Sequence, residues 1–230
     1  MKSSLLAALR AAIDAQHPCA TVTDLSNNRQ VLVVGATVSG ESFLSSAEMA
    51  EVQRRFAADR SGLIPGTQLF VRVYALPPRM VIVGAVHIAQ ALAPMAHMAG
   101  FDVTVIDPRE GFVRSGRLAD VRAIVAWPDE AMADVKPDGR TAVVTLTHDP
   151  KLDDPALASA LRSQAFYIGA LGSRKTHAQR LQRLGDDGFS GAELARIRGP
   201  VGLDINAVTP AEIAVSILAQ VIETLRAEAA

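Results

Sequence analysis

Residues 81–92 read Val81-Ile82-Val83-Gly84-Ala85-Val86-His87-Ile88-Ala89-Gln90-Ala91-Leu92, VIVGAVHIAQAL. A short β-rich run enters a glycine turn and continues with helical spacing. This is the outline of a strand–turn–helix that cradles a dinucleotide. Gly84 suits the tight turn, and Ala89 replaces the third glycine, which serves close helix–strand packing. Val86 stands where a second glycine lets the backbone approach a pyrophosphate. Its side chain occupies phosphate space, and β-branching opposes any positive φ there. The helix start still offers N–H groups and a positive dipole end to a smaller or shifted anion. The alternative is a structural turn with no ligand.

Working outward, RMVIVGA (79–85), DVTVID (102–107), RAIVAW (122–127), TAVVTLTH (141–148) and AFYIGAL (165–171) are short β-rich runs. Helical segments separate them at about 86–99, 129–134, 155–163 and 174–184. Strands apolar on both faces and alternating with helices predict a parallel sheet covered on both sides. Asp154-Pro155 reads as an N-cap followed by proline at the first helical position. Ser190 with Glu193, and Thr209 with Glu212, match capping boxes, the second opening a helix over about 210–226. The expected fold is α/β, a Rossmann-like doubly wound parallel sheet over 79–230.

Upstream, residues 3–16 and 45–58 have helical spacing. Residues 21–25, 30–38 and 67–75 read as strands, the first two joined by a turn at Asn27-Asn28. Residues 1–76 are therefore expected to form a small α+β domain, and Pro77-Pro78 marks the boundary.

Composition supports a folded chain. Apolar residues are 49% of the 230 and charged residues 20%, enough for a sizeable core. Net charge is −1 with no basic block, which argues against nucleic acid and anionic membranes as partners. The apolar stretch 80–106 is broken by His87, Gln90, His97 and Asp102, so no membrane span is expected. Cys19 is the single cysteine. That rules out an internal disulfide and suits the cytoplasm.

Ligands of such sheets bind outside the carboxyl ends of the strands. Asp107 ends the second strand, 23 positions after Gly84, where an acid holding a ribose hydroxyl is expected. Arg109 is placed to meet a phosphate, although an ion pair with a cap explains both residues equally. In TLTHDP, Thr147, His148 and Asp149 reach the mouth of the fourth strand. His148 and Asp149 suit proton transfer or a polar turn, and no partner at metal-ligand spacing accompanies them. GALGSRKT (169–176) places Gly172 before Ser173, an N-cap, with Arg174 and Lys175 entering the helix. Cations at that end oppose the dipole unless an anion binds there. Asp204, in GLDINAVTP, is expected at the same edge. Ser39, Glu41, Ser42 and Ser45 carry no nucleophile–base signature, and Cys19 reads as a small core residue.

DVTVIDPREGF, VVTLTHDPKLDDPALASALRS, AFYIGALGSRKTHAQRL and GPVGLDINAVTPAEIAVSILAQV resemble the XdhC/CoxI family. Those proteins are accessory factors of xanthine dehydrogenase and aerobic carbon monoxide dehydrogenase. The resemblance runs from about residue 80 to the C-terminus, and VGATVSGESF parallels the family's GTVSGGC. It implies a dimer of chaperones that hold molybdenum cofactor (molybdopterin), assist its sulfuration through a cysteine desulfurase, and pass it to an apo-molybdoenzyme. It further implies cofactor contacts at Gly84, Ala85, His87, Asp107, Arg109, Thr147, His148, Asp149, Gly172, Ser173, Arg174 and Asp204. Two positions depart from the family pattern. Val86 stands in its GAGHVA loop, and Ser42, after Glu41, stands at its cysteine. Two other readings fit the residues alone: an NAD(P)-dependent oxidoreductase, and a docking scaffold with no small ligand. No catalytic nucleophile–base–orienter set is legible.

Overall fold

The computed structural model describes residues 2–15, 17–113 and 121–227. Met1, Gln16 and residues 114–120 and 228–230, which the expected helix and domain limits include, lie outside them. The chain divides into two compact units, residues 2–76 with Ala227, and residues 77–226.

In the first unit the order is α1 (Ser3–Asp14), β1 (Cys19–Asp24), β2 (Gln30–Val34), β3 (Thr37–Ser39), α2 (Ser46–Ala57), β4 (Gly62–Leu63) and β5 (Leu69–Tyr74). The strands form an antiparallel sheet in the order β3-β2-β1-β5-β4. Leu5, Leu9 and Ala12 of α1 pack with Cys19 and Leu32. Val52 of α2 packs with Ala20, Val22, Val31, Val33 and Val71. Strand alternation thus sends Cys19 and Ala20 to separate clusters. The expected strand 30–38 is in fact a hairpin: Gly35 has φ 56°, which turns β2 back into β3. The Asn27-Asn28 turn forms as expected, with Asn28 left-handed at φ 59°.

In the second unit the order is β6 (Arg79–Val83), α3 (His87–Met98), β7 (Asp102–Ile106), α4 (Glu110–Val113), β8 (Arg122–Ile124), α5 (Pro128–Val135), β9 (Thr141–Thr145), α6 (Pro150–Leu161), β10 (Tyr167–Ala170), α7 (Arg174–Asp186), α8 (Gly191–Leu194), β11 (Ile197–Arg198) and α9 (Pro210–Ala227). All six strands run parallel in the order β11-β10-β9-β6-β7-β8. Met80, Ile82, Val103, Val105 and Val144 face Leu92 and Ala96 of α3 and Ile217 and Val221 of α9. Val81, Val83, Ile106, Val143 and Ile168 face Met132 of α5, Leu157 and Leu161 of α6 and Leu184 of α7. Both faces are covered, which is why the central strands β6, β9 and β10 are buried almost throughout.

Helix α6 starts earlier than expected. Its N-cap is Asp149, whose side chain accepts a hydrogen bond from the Lys151 N–H, with Pro150 at the first helical position. Pro155 lies inside the helix, and Asp154 pairs with Arg183 at 2.6 Å instead of capping. The boxes at Ser190/Glu193 and Thr209/Glu212 form as expected. Ser45 and Glu48 make a further box at the start of α2.

Candidate functional site

The register aligns four strand ends. Ile106, Val83, Thr145 and Ala170 stand side by side at the carboxyl ends of β7, β6, β9 and β10. The strand order reverses between β6 and β9, so the crevice of the fold opens there. The loops that begin at residues 84, 107, 146 and 171 therefore share one rim.

Contacts between the loops are tight. Gly84 has φ 106°, and a Cβ on it would lie 2.4 Å from Thr147 Cγ2. Gly172 has φ 138°, and a Cβ there would lie 3.2 Å from Thr176 and 3.6 Å from His148 Nδ1. Gly84 is required for both conformation and space, and Gly172 for its positive φ. His148 is itself left-handed at φ 61°.

Several residues expected to touch a ligand form the frame of the rim instead. Asp107 is fully buried, and four donors fill its carboxylate. Oδ2 accepts from the Ala85 N–H and from Arg109 Nη2, each at 2.8 Å. Oδ1 accepts from the Arg109 N–H and Nε, each at 2.9 Å. Burial pushes this carboxyl up, but the bonds from the Arg109 side chain, the Ala85 N–H and the Arg109 N–H together hold it below its usual value. A carboxylate so saturated has no lone pair left for a ribose. The expectation that Asp107 holds a dinucleotide ribose is thereby corrected, and the NAD(P) reading loses its anchor. The Gly84 N–H is also engaged, donating to the Ile106 carbonyl at 2.8 Å, and Ala85 is buried. Thr147 Oγ1 donates to Asp153 at 2.6 Å and accepts the Asp149 N–H at 3.1 Å.

Val86 also differs from expectation. It is the N-cap of α3 with φ −79° and ψ 175°, an extended conformation that a valine adopts without strain. Val86 makes no side-chain cap for α3, so among the described residues the N–H groups of its first turn lie at the crevice without a side-chain acceptor.

The exposed part of the rim consists of His87, Arg109, His148, Asp149, Ser173, Arg174 and Lys175. Arg109 is held by Asp107, and the charge of Asp149 lies close enough to act on it. Ser173 caps α7 by accepting the Thr176 N–H at 3.2 Å. Arg174 and Lys175 follow it with no acid in the first turn, and neither forms an ion pair among the described residues. Asp204 is exposed in the segment beyond β11, with no hydrogen bond to the other named residues. The surface offered is cationic and rich in N–H donors, suited to a phosphate-bearing ligand.

Sequence reasoning missed Asp153 and Arg180. Each is about 1% exposed, and they meet at 3.4 Å behind the rim. Once α6 is started at Asp149-Pro150, Asp153 shares a face with Leu157 and Ala160, so the signal was present in DPKLDD. Ser42, where the sequence resemblance implied a cysteine, is exposed. Cys19 is wholly buried, and burial pushes its thiol up.

The XdhC Rossmann domain matches residues 80–221. The chain is similar to uncharacterized protein YqeB of Escherichia coli K12, at 32% identity over 67% of this chain and 29% of the relative. It is 36% identical to the molybdenum cofactor insertion chaperone PaoD of the same organism, over 62% of this chain and 39% of that one. It is 32% identical to a probable xanthine dehydrogenase subunit of Bacillus subtilis 168, over 69% of this chain and 46% of that one. The chain thus spans less than half the length of these relatives. A crystal structure described as a xanthine dehydrogenase from Bacillus halodurans shares the fold, with TM-score 0.80 and 24% identity over 98% of this chain and 68% of that one. With more than half its residues matched by that domain, the chain belongs to the XdhC family.

Proposed function

We propose that this protein binds molybdenum cofactor at the β6–β9 crevice and serves its maturation and insertion into a molybdenum hydroxylase. The observation that carries the reading is the rim itself. An α3 start with no side-chain cap among the described residues, and the cations Arg174 and Lys175, border a crevice whose buried carboxylates, Asp107 and Asp153, already hold donors of their own. A pterin with a phosphate or dinucleotide tail supplies the missing negative charge. The name of the relative PaoD supports the same cargo. Partners on this reading are the apo-molybdoenzyme and a second copy of the chain, in the cytoplasm. We also propose that residues 1–76 and 79–230 act as separate domains.

Sulfur handling must differ from a scheme built on the chain's own thiol. Ser42 has none, and Cys19 is buried. A cysteine desulfurase would act on the bound cofactor directly. Among the described residues no helix is long and apolar enough to cross a membrane. The test is titration of purified protein with molybdopterin, followed by pterin fluorescence. Saturable binding that weakens with added salt is expected. Absence of binding would leave only the docking-scaffold reading.

A further inference from the structure

The buried pair of α6 and α7 is a poor stabiliser by its geometry. Arg180 Nη2 reaches Asp153 Oδ2 at a long 3.4 Å. Among the described residues its Nε and Nη1 are buried without a protein hydrogen-bond partner. Burial pushes the Asp153 carboxyl up, against the bonds from Thr147 and the charge of Arg180. A buried ion pair with unmet donors is commonly no better for stability than apolar residues of the same size.

What the pair does have is position. Asp153 Oδ1 accepts from Thr147 Oγ1 at 2.6 Å and from the Thr147 N–H at 3.3 Å. Arg180 Nη2 donates to the Leu171 carbonyl at 2.8 Å. Thr147 lies in the loop after β9 and presses on Gly84. Leu171 opens the loop that ends at the Ser173 cap. A single continuous set of contacts thus runs Gly84, Thr147, Asp153, Arg180, Leu171.

We infer that Asp153 and Arg180 are the positioning residues of the rim, fixing the β9 and β10 loops relative to each other so that both engage one anionic ligand. The inference rests on the crevice reading of function. It explains why an under-satisfied arginine is kept beneath the site. Neither residue touches the ligand; each acts through a loop it holds.

Amide hydrogen exchange on the full chain tests this without any ligand. The reporters are the N–H groups of Thr147 and Asp149 in one loop, and of Leu171 and Thr176 in the other. Each is hydrogen-bonded, to Asp153, Thr147, Thr145 and Ser173 respectively. Asp153→Asn and Arg180→Met are each expected to speed exchange at both pairs of reporters on the order of tenfold. The double variant D153L/R180M is expected to melt no lower than the wild type while keeping both loops loosened. Acceleration confined to the loop each residue itself touches overturns the inference, as does a double variant with wild-type protection. If a variant fails to fold, Arg180→Lys is compared; it keeps the charge but not the fork, and loosening at both pairs is again required. Molybdopterin affinity is the second readout, with about a tenfold loss expected in D153N. Wild-type protein that binds no molybdopterin would refute the functional reading, while the exchange result would still decide this one.

Discussion

Gly84 and Thr147 meet so closely at the switch point that a Cβ on residue 84 would stand 2.4 Å from Thr147 Cγ2. The contact joins the first and fourth strand-end loops of the sheet. Gly84→Ala meets both this clash and the positive φ of 106°. Strain and overpacking together are expected to destabilise the protein by about 2–5 kcal/mol. Thr147→Ala in the same background relieves the clash and not the strain. Thermal unfolding of G84A, T147A and the double variant should therefore show partial rescue. Full additivity would show that the loops do not press on each other.

Asp107 gives a prediction at acid pH. Its folded carboxyl lies below the ordinary value of 3.8, so its bonds add stability above that value and lose it as pH falls through the lower folded value. Asp107→Asn should lower stability by about 1–3 kcal/mol at neutral pH and flatten the fall below pH 3.8. Denaturant unfolding at several pH values checks this. Val86→Gly should not confer NADH binding tighter than about 1 mM, because Asp107 remains saturated. Calorimetric titration would show otherwise if the valine alone were the obstacle.

Arg174 and Lys175 should separate stability from binding. Each opposes the α7 dipole, so Arg174→Gln with Lys175→Gln is expected to raise stability by roughly 0.5–1 kcal/mol. The same change should weaken molybdopterin binding on the order of tenfold and reduce its salt dependence. Equal affinity in the double variant would place the anion elsewhere on the rim.

His177 predicts a second pH effect. Burial first, and then the charge of Arg180, lowers its folded value from the ordinary 6.5. The unfolded chain then takes up a proton before the folded one does. Stability should fall as pH drops below 6.5 toward the folded value. His177→Gln should flatten the curve below pH 6.5. An unchanged slope would assign the loss to another group.

The sheet was legible in the sequence because residues such as Val81 and Ile82 are both buried, one on each face. A run with no polar gap signals a covered parallel strand. The rim's location followed from strand ends, and Ser173 was recognisable as a cap. The division of labour within the rim was not legible. Nothing in the spacing says that Asp107 is filled by Ala85 and Arg109, since those bonds depend on how two loops meet. The start of α6 was misplaced because Asp149-Pro150 and Asp154-Pro155 carry the same local signal. Tertiary contact chose the first, since only that start puts Asp153 beneath Thr147. The two-residue strands β4 and β11 exist through their neighbours and carry no periodicity to read.

The burial of Cys19 at the start of β1 has a chemical consequence. With that sulfur enclosed by α1 and the sheet, peroxide finds no thiolate to convert to sulfenic acid. Two copies of the chain cannot become covalently joined through sulfur while folded. Metal capture and oxidative marking at this sulfur are thus closed to the folded chain.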